Sequence, residues 1–215
     1  MPRKSILLST SFILIASILS ALFFLIFSNS EKSRSMNNTA EISLTLFSTP
    51  RDIHPFQLIT HQNLSFSDKN LQGHWTFLFF GFTHCPHICP TTLSKMKQVY
   101  ASLHTQYPSL QVVLVTVDPK RDTPETLDTY LSQFNPQFIG VTGNPKILNA
   151  LEKQLGIFAA RTPIDDQGNY SMQHTSSVLL LNPKGKWVGL FSFSVTPEIM
   201  INTFKKYMKT KMNVN

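Results

Sequence analysis

The sequence predicts an α/β domain in which helices pack on a mixed sheet, and three observations carry that prediction. Two apolar runs, "WTFLFFGF" from Trp75 and "LQVVLVTV" from Leu110, are continuous rather than alternating, as in strands buried on both faces. Each is followed by apolar residues recurring at helical spacing. The chain then closes with two strands joined by a turn and one more helix, a strand and helix order that builds an α/β sandwich.

Taken in order, "ISLTLF" and "FQLIT" give weak strand signals before the first strong run. After it, Leu93, Met96, Tyr100 and Leu103 mark the inward stripe of a helix from about 90 to 106. The second strand leads to Thr123-Pro124, an N-cap with proline in the first turn, and to a helix facing inward through Leu127, Tyr130, Leu131 and Phe134. Asn144-Pro145 repeats the device for a helix bearing Leu148, Leu151 and Leu155 that stops at Gly156. A polar stretch containing Asp165-Asp166-Gln167-Gly168 follows. "SVLLLN" and "KWVGLFSF" then form a hairpin across Asn182-Pro183-Lys184-Gly185. Thr196-Pro197-Glu198 caps a last helix with Met200, Phe204, Tyr207 and Met208 inward.

At the other end, residues 6–27 are apolar apart from a few Ser and Thr, and no charge occurs between Lys4 and Glu31. About 20 helical residues cross a hydrocarbon core, so residues 1–27 read as a transmembrane anchor. A cleaved signal peptide competes with this, but its apolar region is shorter, roughly 7 to 15 residues, and ends in an A-x-A-like site that is not evident here. Arg3 and Lys4 face Lys32 and Arg34, which sets orientation only weakly toward an inside N-terminus. No Arg-rich transit peptide precedes the run. The simplest setting is a single-pass protein of a bacterial inner membrane with its domain in the periplasm. Residues 28–41, "SNSEKSRSMNNTAE", read as a flexible linker, and 42–215 as the folded domain. The net charge of +7 is concentrated partly in Lys205, Lys206, Lys209 and Lys211, a solvated helix face. No nucleic-acid motif accompanies it.

The two cysteines of the chain, Cys85 and Cys89, lie in "GFTHCPHICPTTL" at the end of the first strong strand. Pro86 and Pro90 confine the helix start to their neighbourhood, because proline is tolerated only in a helix's first turn. The unpaired N–H groups and positive dipole end there favour thiolate over thiol, so the reading expects reactive cysteines. Four helical steps of about 1.5 Å place the two α-carbons roughly 6 Å apart, near enough for a disulfide, while two sulfurs about 4 Å apart suit a metal. Spacing does not choose between them. A third ligand would, and the chain offers His54, His61, His74, His84, His87, His104 and His174. His84 and His87 flank Cys85, but neighbours on a turn often point apart. His174 is better placed, at the end of the polar loop just before "SVLLLN", where neighbouring strands deliver residues to one edge.

These residues resemble the Sco/SenC family of membrane-anchored copper-binding proteins. "GFTHCPHICPTTL" is similar to its cysteine motif, "VTVDPKRDTPETL" (115–127) to its Asp-Pro-x-Arg-Asp-Thr-Pro segment, and "QHTSSVLLLNPKG" (173–185) to its histidine-bearing strand. The resemblance implies a thioredoxin-like fold and copper, as Cu(I) or Cu(II), held by Cys85, Cys89 and His174. It also implies a role in delivering copper to, or reducing the cysteines of, the copper-site subunit of cytochrome c oxidase. Other periplasmic copper or thiol-redox proteins are further partners in that reading. The chain departs from the family pattern at two positions: His87 stands where an acidic residue is common, and Gln173 where Asp usually precedes the histidine. Both remove negative charge near a cation.

Soft thiolates suit Cu(I), imidazole suits either copper state, and three ligands leave an open side for transfer. Zinc wants a fourth ligand, which His84 or His87 would have to supply. Asp118, Arg121 and Asp122 read either as a network positioning the cysteine loop or as ordinary turn and cap chemistry. A competing function uses the same cysteines as a thiol-disulfide reductase or peroxide-handling thiol protein. His174 separates the two, since dithiol chemistry needs no distant histidine. In a third reading the pair is only a local disulfide Cys85–Cys89, which staples almost nothing.

Overall fold

The computed structural model describes residues 44–212, and residues 20, 23 and 24 near the N-terminus. Those three apart, the expected anchor and linker lie outside the described residues. Among the described residues no helix is long and apolar enough to cross a membrane.

The two apolar runs form adjacent parallel strands, β4 (Trp75–Gly81) and β5 (Leu110–Thr116), paired from Trp75↔Leu110 to Gly81↔Thr116. Six residues of β4 and all seven of β5 are buried, as continuous hydrophobicity requires of central strands. Strand β6 (Ile139–Thr142) continues the parallel set beside β5. On the other side of β4 run the antiparallel hairpin strands β9 (Val178–Leu181) and β10 (Trp187–Phe191), with β1 (Leu44–Arg51) outside them. Strands β2 (Gln57–Thr60) and β3 (Ser65–Ser67) complete the far edge, giving the order β1-β10-β9-β4-β5-β6-β2-β3. Three parallel strands joined to an antiparallel hairpin is the mixed α/β arrangement of the thioredoxin-like expectation.

The alternating faces of β4 divide the core. Phe77 and Phe79 pack with helices α1 (Ile88–Leu103), α2 (Pro124–Ser132) and α4 (Pro197–Met212) through Leu93, Met96, Leu127, Leu131, Met200 and Phe204. Leu78 and Phe80 pack on the opposite face with Leu148 and Leu151 of α3 (Pro145–Gln154). The caps read from sequence are present: Thr123 accepts from the Thr126 N–H, and Asn144 from the Lys146 N–H. Gly156 takes φ +63°, the left-handed conformation that ends α3.

The structure differs from the sequence reading at several elements. Helix α1 begins at Ile88 and ends at Leu103, two to three residues earlier than read. The polar stretch is not all loop: the turn at residues 165–168 is flanked by a separate two-stranded ladder of β7 (Ala159–Arg161) and β8 (Met172–His174). Its register, Ala159↔His174 to Arg161↔Met172, places His174 at the last position of a strand. Strands of three half-exposed residues bury too little to leave an alternating pattern, and β6, with only four residues including Gly140, escapes the sequence reading for its shortness.

Gly81, the last residue of β4, sets how close α1 comes to the sheet. A Cβ there would meet Cys89 Sγ at 2.9 Å and Leu114 Cδ1 at 3.0 Å. Gly81→Ala is therefore expected to lower stability by about 1–3 kcal/mol by overpacking, measured by urea unfolding; an unchanged midpoint would mean that α1 shifts freely. A second prediction concerns Glu152, buried on α3, whose carboxyl is pushed up from 4.5 to about 7 by desolvation. The folded state then binds more protons than the unfolded chain between those values, so stability falls as pH rises through them. Glu152→Gln should be more stable than the wild type at pH 8 and gain little at pH 4, as thermal unfolding at the two pH values will show.

Candidate metal centre

The cysteine loop leaves the end of β4 and enters α1. Cys85 is half-buried before the helix and Cys89, in its first turn, is fully buried. Both are free thiols. The N-cap position of α1 is His87, whose side chain makes no capping bond. Instead Cys85 Sγ accepts the Cys89 N–H at 3.3 Å, so the first sulfur takes over part of the work of a cap.

His174 arrives from β8. Its Nε2 lies 3.6 Å from Cys89 Sγ, and its Nδ1 lies 2.9 Å from the Thr175 carbonyl oxygen. A carbonyl only accepts, so Nδ1 carries the proton and Nε2 turns its lone pair toward the sulfurs. Burial holds the imidazole below its ordinary pKa and outweighs the Thr175 bond, which acts in the opposite direction; burial thus favours the neutral ring a metal requires. Phe82, buried, meets the ring edge to face with centroids 5.8 Å apart.

Ligand atoms of Cys85, Cys89 and His174 all lie within 4.8 Å of one another, and among the described residues no other group of three or more histidine, cysteine or acidic side chains converges this way. The structure thus brings together the three residues picked out in the sequence. It does not bring His84 or His87 into the group, and both are exposed. The expectation that the helix start favours thiolate at both sulfurs is corrected for Cys89. Desolvation raises its pKa far above the ordinary thiol range, Cys85 adds to the rise, and a Phe82 backbone hydrogen bond only partly opposes it.

The 118–122 turn holds both halves of the centre. Asp122, fully buried, accepts the Thr83 hydroxyl at 2.6 Å, the Thr83 N–H at 3.2 Å and the Thr116 hydroxyl at 2.6 Å, which fixes the root of the cysteine loop. Burial raises its pKa while those donors stabilise its charged form. Asp118 pairs with Arg121 Nε and accepts the Tyr170 hydroxyl at 3.0 Å. Arg121 donates through Nη1 to the Tyr170 carbonyl at 3.0 Å and lies 3.8 Å from the centre of its ring. Asp122 therefore positions the cysteines, and Asp118 with Arg121 positions the histidine hairpin. Sequence reasoning missed Thr83, Thr116 and Thr175 in these positioning roles, and also Tyr170. An isolated aromatic in a polar stretch was its only signal.

A soft S, S, N donor set on a thioredoxin-like sheet, open on one side, defines a metal-handling or dithiol protein. The chain belongs to the SCO1/SenC family, whose profile matches residues 48–209. It is similar to the SCO2-like protein of Rickettsia prowazekii, 37% identical over 70% of this chain and 74% of that one. Among solved structures it is similar to copper-bound ScoI of Bradyrhizobium japonicum, 34% identical with TM-score 0.66 over 72% of this chain and 98% of that one. It is also similar to copper-bound yeast Sco1, 29% identical with TM-score 0.69 over 74% and 90%.

The two halves of the 118–122 turn should differ in cost. Asp122→Ala leaves two hydroxyls and an N–H without their buried acceptor and is expected to cost about 3 kcal/mol or more, whereas Tyr170→Phe deletes one bond and about 1 kcal/mol. Amide exchange should show the Tyr170→Phe loss concentrated in residues 158–175. Uniform loss of protection across the domain would contradict the division.

Proposed function

We propose that this protein is a membrane-anchored copper chaperone that carries copper on Cys85, Cys89 and His174. It serves the binuclear copper site of cytochrome c oxidase, by delivering the metal or by reducing that site's cysteines. The observation that carries the reading is the convergence of two sulfurs and a lone-pair Nε2 whose tautomer the Thr175 carbonyl sets. An N–H held by a carbonyl is the usual outer support of a ligating histidine. The donor set fits copper: two soft sulfurs suit Cu(I), the imidazole suits either state, and among the described residues no fourth donor joins the three as structural zinc would require. Solved family members that hold copper support the same cargo. A histidine beside a cysteine also serves thiol chemistry, so what favours the copper reading is the convergence of all three donor atoms within 4.8 Å of one another.

The apolar run of residues 6–27 and the polar stretch after it support an anchored domain on the outer side of a bacterial inner membrane, single-pass, with its partner in the same compartment. Copper uptake by this site releases protons, because thiols must give way to thiolates.

Metal analysis tests the reading. The reduced protein should bind one copper per chain, and Cu(II) loading should give an intense thiolate-to-copper absorption that Cys85→Ser/Cys89→Ser abolishes. His174→Ala should keep some Cu(I) and lose Cu(II) affinity by about tenfold or more, since even an outer partner of a metal ligand costs that much. Equal copper content in wild type and the double serine variant, or in reduced and disulfide-oxidised protein, would place the ligands elsewhere.

A further inference from the structure

We propose that His84 is a transfer ligand: an exposed imidazole that holds the metal together with Cys85 on its way into and out of the inner site, without being a resident ligand. This rests on the copper reading above. The geometry starts at Asp122. The Thr83 hydroxyl has one hydrogen and gives it to the Asp122 carboxylate at 2.6 Å. The neighbouring Thr116 hydroxyl accepts the Asp118 N–H at 2.9 Å and gives its own hydrogen to the same carboxylate. The Thr83 oxygen can then only accept from His84 Nδ1, 3.0 Å away. His84 is thereby fixed with Nδ1 protonated, and Nε2 is the lone-pair nitrogen of an exposed ring.

A carboxylate acting through a hydroxyl on the far nitrogen of an imidazole is the kind of outer support that ligating histidines carry. Here it serves a histidine that does not converge on the inner three ligands. Its neighbour in sequence is Cys85, the half-exposed ligand, while Cys89 lies fully buried behind. Metal exchange at such a site proceeds by replacing ligands one at a time, and Cys85 and His84, adjacent in the chain and both reached by solvent, offer a first pair of donors. His87 is exposed as well, but its side chain makes no capping bond, and no hydrogen bond fixes its tautomer as Thr83 fixes that of His84.

A ligand used only in passage lowers the barrier in both directions and leaves the end states alone. The experiment follows Cu(I) loading from a bicinchoninate complex and Cu(I) removal by bathocuproine disulfonate in stopped flow, with the equilibrium affinity measured in parallel. His84→Ala should slow both rates by the same factor, about tenfold, the lower end of the cost of losing a partner near a metal. Its affinity should stay within about twofold of wild type. His87→Ala should slow transfer less than His84→Ala. His74→Ala is the control: its Nδ1 is likewise held, by the Ser109 carbonyl at 3.0 Å, but it lies at the opposite end of β4, and its rates should equal wild type. Unchanged rates in His84→Ala overturn the proposal, as does a fall in affinity matching the fall in loading rate, which would make His84 a resident ligand. Wild-type protein that takes up no Cu(I) overturns the copper reading itself, a result distinct from either.

Discussion

The buried carboxylate of Asp122 is the contact on which the arrangement depends. It sits where β4, β5 and β6 end together, gripping Thr83 beyond β4 and Thr116 at the end of β5, while its own carbonyl accepts the Thr142 hydroxyl of β6 at 2.9 Å. A buried carboxylate without donors is costly, so these partners and the carboxylate hold one another in place. The consequence reaches the site along the chain. Thr83 is two residues from Cys85, and the turn that presents Asp122 also presents Asp118 and Arg121 to the hairpin bearing His174. One turn of five residues thus sets both sides of a three-ligand centre.

A second constraint is steric. The centre needs Cys89 inside the protein, and the sheet admits it only because Gly81 carries no side chain. Cys85, on the unwound segment before the helix, stays half-exposed. One sulfur is therefore a fixed inner wall, and the other remains within reach of solvent or a partner. The proposed carrier role needs this asymmetry, because a site with three buried ligands would hold its cargo without a route to release it.

How much of this the sequence discloses depends on how local each feature is. The runs at Trp75 and Leu110, the caps at Thr123 and Asn144 and the stripes of the helices rest on neighbours within a turn or on simple burial, and all are legible. The three converging residues are legible as well, His174 on the strength of the family resemblance. Burial of Cys89 is not, because it comes from Gly81, Phe82 and Leu114 on other elements, and burial outweighs the helix dipole that the local pattern emphasises. The same holds for β7 and β8. Their residues carry no apolar period, and what orders them is an arginine and an aspartate some fifty residues away in the chain.

Charge gives the centre a further property under the copper reading. Two thiolates and a neutral imidazole carry two negative charges, so the site is neutral with Cu(II) and singly negative with Cu(I). Desolvation around Cys89 penalises net charge and thereby favours the divalent ion, while the softness of the sulfurs favours the monovalent one. The two tendencies oppose each other at the same atoms. His87 and Gln173, standing where an acidic residue would add a negative charge, leave the Cu(I) form with less repulsion than a carboxylate would impose. The chain's departures from the family pattern thus act on the balance between copper states and leave the ligands untouched.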